Sequence, residues 1–179
     1  MKVGITGGIG AGKSYVCRIL EELGITVYDC DSAAKRLLHT SPALQQQILA
    51  LVESLDKADI SRFLLASEDN AQAINAIIHP AVFRDFQKSG IDWMESAILF
   101  ESGIYRLVDR VVAVSAPLEV RISRIMARDG ISREKAVQWI NRQMPQDDVI
   151  ARADYHIVND GTTDIRAQIK QLLATIEQQ

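Results

Sequence analysis

The sequence predicts an α/β fold with a five-stranded, mostly parallel sheet that helices cover on both faces. Short apolar runs of strand length alternate along the chain with longer segments of helical periodicity. Some of these runs are apolar throughout, as expected of strands with both faces covered. The chain has 179 residues, of which 47% are hydrophobic and 24% charged. These values indicate one globular domain with room for a small inserted subdomain.

Each element follows from its local pattern. The predicted strands are residues 3–6, 25–28, 93–100, 111–114 and 155–158. The predicted helices are residues 13–23, 32–38, 42–55, about 59–66, 70–78, 80–88, 117–128, 132–144, 146–153 and 164–177. No strand pattern interrupts the helices between the second and third strands, so this segment is interpreted as an excursion from the sheet. In its last helix Pro80 is expected at the favourable first position, and His79 alone is interpreted as structural.

Residues 7–14, Gly-Gly-Ile-Gly-Ala-Gly-Lys-Ser, match the phosphate-binding pattern G-x-x-x-x-G-K-[ST] in full. A predicted strand precedes the pattern and a predicted helix follows it, which is the context that a P-loop requires. The glycines let backbone N–H groups curl around a polyphosphate at the positive end of the helix. Lys13 can then reach the β and γ phosphates, and the Ser14 hydroxyl can bind Mg²⁺. A turn that uses glycine only for its geometry is the alternative, and Lys13-Ser14 argues against it.

Asp29 and Asp31 follow the second predicted strand, at the edge where open α/β sheets bind ligands. On an extended chain both would point to the same side, so either could face a substrate hydroxyl or a water on Mg²⁺. The alternative is that one of them, with Asp31 favoured, caps the following helix. Residue types alone leave these two interpretations equal.

Eight of the 13 arginines fall between residues 106 and 152. Arg121, Arg124 and Arg128 have the spacing i, i+3 and i+7, which places them on one helical face. A solvated basic face is the common meaning of such a stripe. In a chain with a P-loop, a lid that brings guanidinium groups over a transferring phosphoryl group is favoured.

The formal net charge of −3 gives no basic footprint for nucleic acid, so no nucleic-acid partner is expected. No apolar run approaches the length of a membrane span, and no membrane partner is expected. Cys17 and Cys30 fit neither a zinc site nor a CxxC pair, which favours a reduced, cytoplasmic setting. The sequence specifies no oligomeric state.

Six strings, in order, resemble the dephospho-CoA kinase family almost from end to end. They are Thr6-Gly-Gly-Ile-Gly-Ala-Gly-Lys-Ser14, Tyr28-Asp-Cys-Asp-Ser-Ala-Ala-Lys35, Ile78-His-Pro80, Ile98-Leu-Phe-Glu-Ser-Gly103, Arg124-Ile-Met-Ala-Arg-Asp-Gly-Ile-Ser132 and Ala153-Asp-Tyr-His-Ile-Val-Asn-Asp-Gly161. Any one string is unremarkable, whereas the ordered set is specific.

The resemblance implies transfer of the γ-phosphoryl group of ATP to the ribose 3′-hydroxyl of dephospho-CoA, which gives CoA and ADP in the last step of CoA synthesis. It also implies a P-loop NTPase fold, three-layered α/β/α, with a nucleotide-binding core at residues 1–38 and 91–179. A helical CoA-binding insertion at about 39–90 and a lid at about 121–150 complete the implied organisation.

The resemblance also implies roles for individual residues. Asp31 would be the base that accepts the 3′-hydroxyl proton, which favours it over Asp29, and Lys13 and Arg128 would complete the catalytic set. The implied ATP-binding residues are Gly8, Ile9, Gly10, Ala11, Gly12, Lys13, Ser14, Tyr15 and Asn159. Ser14 would bind Mg²⁺, Asn159 would lie near the adenine, and Arg62 and His79 would join Asp31 on the acceptor side.

The chain departs from the family pattern at a few positions. Tyr15 stands where the family usually has Thr, Ala97 where it has Pro, Arg121 where Gln is common, and Val149 where Lys is frequent. The segment from about 40 to 67 is also shorter than usual. These changes bear on the acceptor pocket and the lid and leave Lys13, Ser14 and Asp31 unaltered.

Two other functions share part of this pattern. Another P-loop small-molecule or nucleotide kinase would differ mainly in its acceptor. A nucleotide-dependent switch would be expected to carry a guanine-reading Asn-Lys-x-Asp string, which the sequence lacks. The switch is therefore disfavoured.

Overall fold

The computed structural model describes residues 1–178, which form two compact units. Residues Met1–Tyr28 and the chain from Ile91 onward form the first unit, and Asp29–Gly90 form the second. The second unit begins at Asp29, and the CoA-binding insertion expected at about 39–90 stays a prediction. No helix within residues 1–178 combines the length and the apolar character that a membrane crossing needs.

The first unit contains a five-stranded sheet. Its strands are β1 Val3–Thr6, β2 Val27–Asp29, β3 Trp93–Glu95, β4 Arg110–Ser115 and β5 Tyr155–Val158. They lie in the order β2-β3-β1-β4-β5, and β1 pairs in parallel with both β3 and β4 while β5 pairs in parallel with β4. The predicted five-stranded α/β fold is therefore confirmed.

Helices occupy most of the remaining chain. They are α1 Lys13–Glu22, α2 Cys30–Thr40, α3 Pro42–Leu49, α4 Lys57–Ala66, α5 Glu68–Ser89, α6 Leu118–Asp129, α7 Arg133–Asn141, α8 Gln146–Arg152 and α9 Ile165–Glu177, with a 3₁₀ turn at Ile104–Leu107. Elements α2 to α5 belong to the second unit and the other helices to the first. The helical character of the excursion between β2 and β3 is as predicted.

The core of the first unit joins α1 and α9 to the central strands. Buried apolar side chains from β1, β4 and β5 pack against those of the two helices, and they include Val3, Ile5, Val16, Ile19, Leu20, Val112, Val114, Ile157, Ile169 and Leu172. A second cluster joins α6 to α7 through Ile122, Ile125, Ala136 and Ile140. The packing fixes where β1 ends and α1 begins, which is the position of the phosphate-binding pattern.

The second unit is built on α5, which contacts α2, α3 and α4. Its buried cluster contains Ile48, Val52 and Ile74. Ser67 caps the N-terminus of α5 by accepting a hydrogen bond from the Asn70 N–H at 3.1 Å, and Gly90 with φ 72° ends the helix. The boundaries of the long helix therefore follow ordinary capping chemistry.

Several predicted boundaries are wrong. Strand β3 ends at Glu95 and does not reach position 100, because the chain turns from Ala97 onward. Helix α3 ends at Leu49 and does not reach position 55. The pieces 70–78 and 80–88 are one continuous helix with Pro80 in its interior, so the prediction that Pro80 begins a helix is wrong.

Packing explains why α5 continues through its proline. Pro80 lacks one backbone donor and so removes one helical hydrogen bond. Ile74 lies before the proline, Val82 and Phe86 lie after it, and all three are buried. Apolar burial on both sides of the proline offsets the lost bond, and sequence propensity alone does not report that burial.

Candidate active site

The loop between β1 and α1 needs glycine at its last position for two reasons. Gly12 has φ 90° and ψ 32°, a left-handed conformation at the N-cap of α1. A Cβ at this position would stand 2.1 Å from Nδ2 of Asn159. Residue 12 therefore combines a left-handed backbone with a close approach by Asn159, and only glycine satisfies both.

Backbone donors gather at this loop. Within residues 1–178, the N–H groups of Gly10, Gly12, Lys13 and Ser14 have no protein acceptor, whereas the Ala11 N–H donates to the Gly8 carbonyl at 3.1 Å. The first N–H groups of α1 are among these donors, and the positive end of the helix dipole lies in the same place. Such a set of donors is an anion-binding site that suits phosphate groups.

Lys13 begins α1 and forms an ion pair with Glu95. Its Nζ lies 3.5 Å from Oε1 of Glu95, and the two side chains are only 11% and 15% exposed. Glu95 is the last residue of β3, which pairs directly with β1. The sheet thus places a carboxylate beside the lysine of the phosphate-binding pattern.

Glu95 was missed by the sequence analysis. The predicted strand 93–100 would bring Glu101, the next residue, to the carboxyl end of the sheet, but the strand ends at Glu95. Glu101 is exposed and accepts a hydrogen bond from the Met144 N–H at 3.2 Å. Ending the strand at the Ser96-Ala97 pair would have identified Glu95 as the carboxylate at the strand end.

Arg124 and Asn159 support the other side of the loop. Nη1 of Arg124 donates to the carbonyls of Gly10 and Ala11 at 3.2 and 3.4 Å, and Nη2 donates to Oδ1 of Asn159 at 3.1 Å. Asn159 follows β5, is 6% exposed, and donates from Nδ2 to the Ala11 carbonyl at 3.0 Å. Both side chains therefore bind the outward-facing carbonyls of the loop.

Ile9 is held on both of its backbone polar groups. Its carbonyl accepts a hydrogen bond from Nε of Arg121 at 3.0 Å, and its N–H donates to Oε1 of Gln143 at 2.7 Å. Arg121 is 5% exposed, and this burial lowers the pKa of its guanidinium below the usual value. Gln143, like Glu95, was not among the predicted site residues.

The arginine stripe of α6 is divided by the structure. Arg121 is buried and Arg124 half-buried, and both contact the loop. Arg128 is exposed and pairs with its neighbour Asp129, with Nη2 at 2.7 Å from Oδ2. Tyr15 is 45% exposed beside the loop. The catalytic role expected of Arg128 stays a prediction.

The second unit holds Asp31, and its neighbour Asp29 is the helix cap. The Asp29 carboxylate accepts hydrogen bonds from the Ser32 N–H at 3.0 Å and from the Ser32 hydroxyl at 2.6 Å. The interpretation of Asp31 as the cap is therefore wrong, since α2 begins at Cys30. Asp31 lies exposed in the first turn of α2, and no side-chain hydrogen bond or ion pair of Asp31 occurs within residues 1–178.

Arg62 and His79 lie on α4 and α5 of the same unit. Arg62 pairs with Asp59 at 3.0 Å, and both residues line a cavity of about 280 Å³. His79 is half-buried and stacks on Phe83 with 6.2 Å between the ring centroids. Burial lowers the pKa of His79. Neither observation tests the acceptor role predicted for these two residues.

The chain also matches known proteins. A family model described as dephospho-CoA kinase matches residues 1–164. The chain belongs to the dephospho-CoA kinase family. It is 40% identical to the dephospho-CoA kinase of Bacteroides fragilis over 192 residues, with 99% of this chain and 94% of that protein covered. It is 39% identical to the dephospho-CoA kinase of Porphyromonas gingivalis, with 97% and 93% covered.

Solved structures share the fold of this chain. A protein named TT1252 from Thermus thermophilus has a TM-score of 0.85 and 31% identity, with 98% of this chain and 97% of that chain covered. Dephospho-CoA kinase from Campylobacter jejuni has a TM-score of 0.66 and 22% identity, with 98% of both chains covered. Shikimate kinase from Acinetobacter baumannii shares the fold, with a TM-score of 0.63 and 17% identity over 99% and 93%.

These comparisons confirm the predicted family, the P-loop kinase fold and the assignment to the phosphotransferases. Use of ATP follows for a P-loop kinase family of this kind. The phosphate-binding loop, Lys13 and Asn159 lie together in the first unit, whereas Asp31, Arg62 and His79 lie in the second. The individual roles of the predicted site residues stay predictions.

Proposed function

We propose that the protein transfers the γ-phosphoryl group of ATP to the ribose 3′-hydroxyl of dephospho-CoA, giving CoA and ADP. The observation that carries the proposal is the set of four N–H donors at Gly10, Gly12, Lys13 and Ser14, which suits a polyphosphate, in a member of the dephospho-CoA kinase family. The names of the curated relatives support the choice of acceptor. The cytoplasm, where ATP is available, is the proposed location.

Lys13 and the loop would hold the β and γ phosphates. The donors and the lysine ammonium would stabilise charge on the phosphate oxygens, and positioning and electrostatics provide most of the catalysis in phosphoryl transfer. The Lys13–Glu95 pair would keep the ammonium beside the loop.

Oxygen donors suited to Mg²⁺ are present in the same region. Ser14 is exposed at the start of α1, and the Glu95 carboxylate lies at the end of the neighbouring strand. In residues 1–178 no three acidic, histidine or cysteine side chains form a metal cluster, so substrate phosphates would supply much of the coordination. When bound, Mg²⁺ would neutralise charge on the β and γ oxygens.

Asp31 would act as the base. The acceptor 3′-oxygen would form a bond to the γ-phosphorus while the bond to the β,γ-bridging oxygen breaks, and the hydroxyl proton would pass to the Asp31 carboxylate. Asp31 suits this role because it is exposed and has no side-chain partner within residues 1–178. ADP would leave with the electron pair of the broken bond.

The remaining roles follow the family pattern. Residues 39–90 would bind the acceptor, with Arg62 and His79 contributing, and residues 121–150 would act as the lid. Asn159 would lie near the adenine, and Arg128 would approach the transferring phosphoryl group. The exposure of Arg128 supports a role that becomes active on lid closure, since its present partner is the adjacent Asp129.

ADP release by the purified protein tests the proposal. ATP and Mg²⁺ are supplied with and without dephospho-CoA, and mass spectrometry follows the acceptor. Formation of ADP that depends on dephospho-CoA, with a product of the mass of CoA, is expected. The matched control replaces dephospho-CoA with CoA, whose 3′ position is already phosphorylated. This reaction should give no turnover. Turnover with a different hydroxyl compound alone would contradict the choice of acceptor.

A further inference from the structure

Arg121 is a buried cation without a carboxylate beside it. It is 5% exposed, and within residues 1–178 no carboxylate lies within ion-pair distance of its guanidinium. Taking a charged group out of water is unfavourable unless hydrogen bonds or an opposite charge compensate for it. An ion pair within the protein therefore does not account for the burial of the Arg121 guanidinium.

The Arg121 side chain and carbonyl group contact the phosphate-binding loop. Its Nε donates to the Ile9 carbonyl at 3.0 Å. A Cβ at Gly8 would stand 2.2 Å from Nη2, and a Cβ at Gly10 would stand 2.7 Å from the Arg121 carbonyl oxygen. Arg121 therefore lies directly against two glycines of the loop and binds the residue between them.

Gln143 completes the hold on the same residue. Its Oε1 accepts from the Ile9 N–H at 2.7 Å and would lie 3.3 Å from a Cβ at Gly8. The peptide groups on both sides of Ile9 are thus fixed by side chains from outside the loop. This pair of hydrogen bonds to Ile9, from Arg121 and Gln143, is called the Ile9 clasp.

We infer that Arg121 is a positioning residue that fixes the phosphate-binding loop through the Ile9 clasp and so strengthens nucleotide binding. The inference rests on the proposed function, because it takes a nucleotide polyphosphate as the ligand of the loop. A glycine-rich loop has many conformations to lose when a ligand orders it. A loop already held in one conformation loses fewer, and its binding is tighter for that reason.

Electrostatics act in the same direction. The guanidinium adds a fixed positive charge beside a loop whose N–H groups already favour an anion. Little water screens this charge because Arg121 is buried. A polyphosphate at the loop would therefore offset part of the burial penalty of the guanidinium, which couples nucleotide binding to the stability of the first unit.

Equilibrium binding of ADP and Mg²⁺ to the full chain, without dephospho-CoA, is the main test. Arg121→Met removes the charge and every side-chain hydrogen-bond donor while keeping an unbranched side chain, and it should weaken ADP binding about tenfold or more. Arg121→Lys keeps a charge but lacks the planar guanidinium, so it should restore only part of the affinity. The control is Arg166→Gln, which removes an exposed arginine paired with Glu22 and should change the dissociation constant less than about twofold.

Hydrogen exchange at the Ile9 amide separates positioning from general stability. In Arg121→Met the Ile9 amide should exchange faster while amides of β4 keep their protection, and Arg166→Gln should alter neither. An Arg121→Met protein that melts at a lower temperature but keeps both its ADP affinity and its slow Ile9 exchange would overturn the inference.

Failure of the proposed acceptor has a different signature. If the protein binds ADP and loses affinity on Arg121→Met but does not phosphorylate dephospho-CoA, the inference stands and the acceptor assignment fails. If the wild-type protein binds no nucleotide, the inference fails together with the proposed function. Unchanged ADP affinity in Arg121→Met with normal CoA formation in the wild type would overturn the inference alone.

Discussion

The ammonium group of Lys13 lies 3.5 Å from the Glu95 carboxylate. Lys13 is the first residue of α1, and Glu95 is the last residue of β3. Glu95→Gln keeps the shape of the side chain and removes its charge. We expect a fall in kcat of about tenfold to 10²-fold, because the lysine is less well oriented and an oxygen donor for Mg²⁺ is weakened. The matched control is Glu101→Gln, which alters an exposed carboxylate and should retain near-normal turnover. Equal loss in both variants would contradict the role of Glu95.

Lys13→Ala tests the charge on the other side of this pair. Loss of the ammonium should lower kcat by about 10²-fold to 10³-fold, the range seen when one preorganised charge-stabilising donor is removed. Circular dichroism should show an unchanged fold, since Lys13 contributes little to the apolar core. Steady-state kinetics with both substrates saturating gives the result, and unchanged activity would refute the assignment of Lys13 to the phosphates.

Asp31→Asn tests the proposed base. The amide cannot accept the 3′-hydroxyl proton, so kcat should fall about 10²-fold to 10⁴-fold while the KM values change little. Asp29→Asn is a matched control two residues away, because asparagine caps helices about as well as aspartate does. That variant should keep both stability and turnover. Near-normal turnover of Asp31→Asn at saturating substrates would rule out general-base catalysis by Asp31.

Arg128→Ala tests the lid arginine. Its side chain is exposed and pairs only with the adjacent Asp129, so removal should change the unfolding free energy by no more than about 0.5 kcal/mol. We expect a lower kcat. The kcat of Arg133→Ala is the comparison for the kcat of Arg128→Ala. Arg133 is also an exposed arginine of the same segment, and it pairs with Glu119 at 2.7 Å. An effect of Arg128→Ala on stability alone would favour a solvated basic face.

The stability of the protein should depend on pH through His79. Burial lowers the pKa of His79 below its usual value, so the unfolded chain binds its proton at a higher pH than the folded chain does. As pH falls from about 7 through 6.5 and below, the unfolded state takes up more protons and stability decreases. Denaturant unfolding of the wild type between pH 7.5 and about 5 should show this decline.

The comparison for that experiment uses two glutamine variants. His79→Gln should reduce the decline without abolishing it, because burial also lowers the pKa of His156. His39→Gln, which changes an exposed histidine at the end of α2, should leave the decline in place. An identical pH dependence in the wild type and in His79→Gln would assign the decline to other groups.

The phosphate-binding loop could be predicted because its chemistry needs particular residue types in consecutive positions, and the sequence states them directly. The fold class followed from the alternation of apolar runs with helical segments. Glu95 and the capping role of Asp29 could not be placed in the same way. Both depend on the residue at which a strand ends, and an error of a few residues in that boundary transfers the site carboxylate to Glu101 or the cap to Asp31.

The arginines of α6 illustrate a second limit. Spacing places Arg121, Arg124 and Arg128 on one face, yet the structure buries the first, half-buries the second and exposes the third. Which of them is covered depends on where the phosphate-binding loop lies against the helix, and that is a long-range contact. The role of Gln143 could not be predicted for the same reason, since Gln143 and Ile9 are far apart in the sequence and are joined by a hydrogen bond only in the folded protein.

Helix α5 has a consequence for how the second unit loses its structure. Because α2, α3 and α4 all contact α5, each of the three loses packing partners once α5 is lost. The unit is therefore expected to open as one cooperative block, with its amides exchanging at a shared free energy, instead of fraying helix by helix. A weakened α5, for example by replacement of its buried Phe86, would lower the protection of all four helices together.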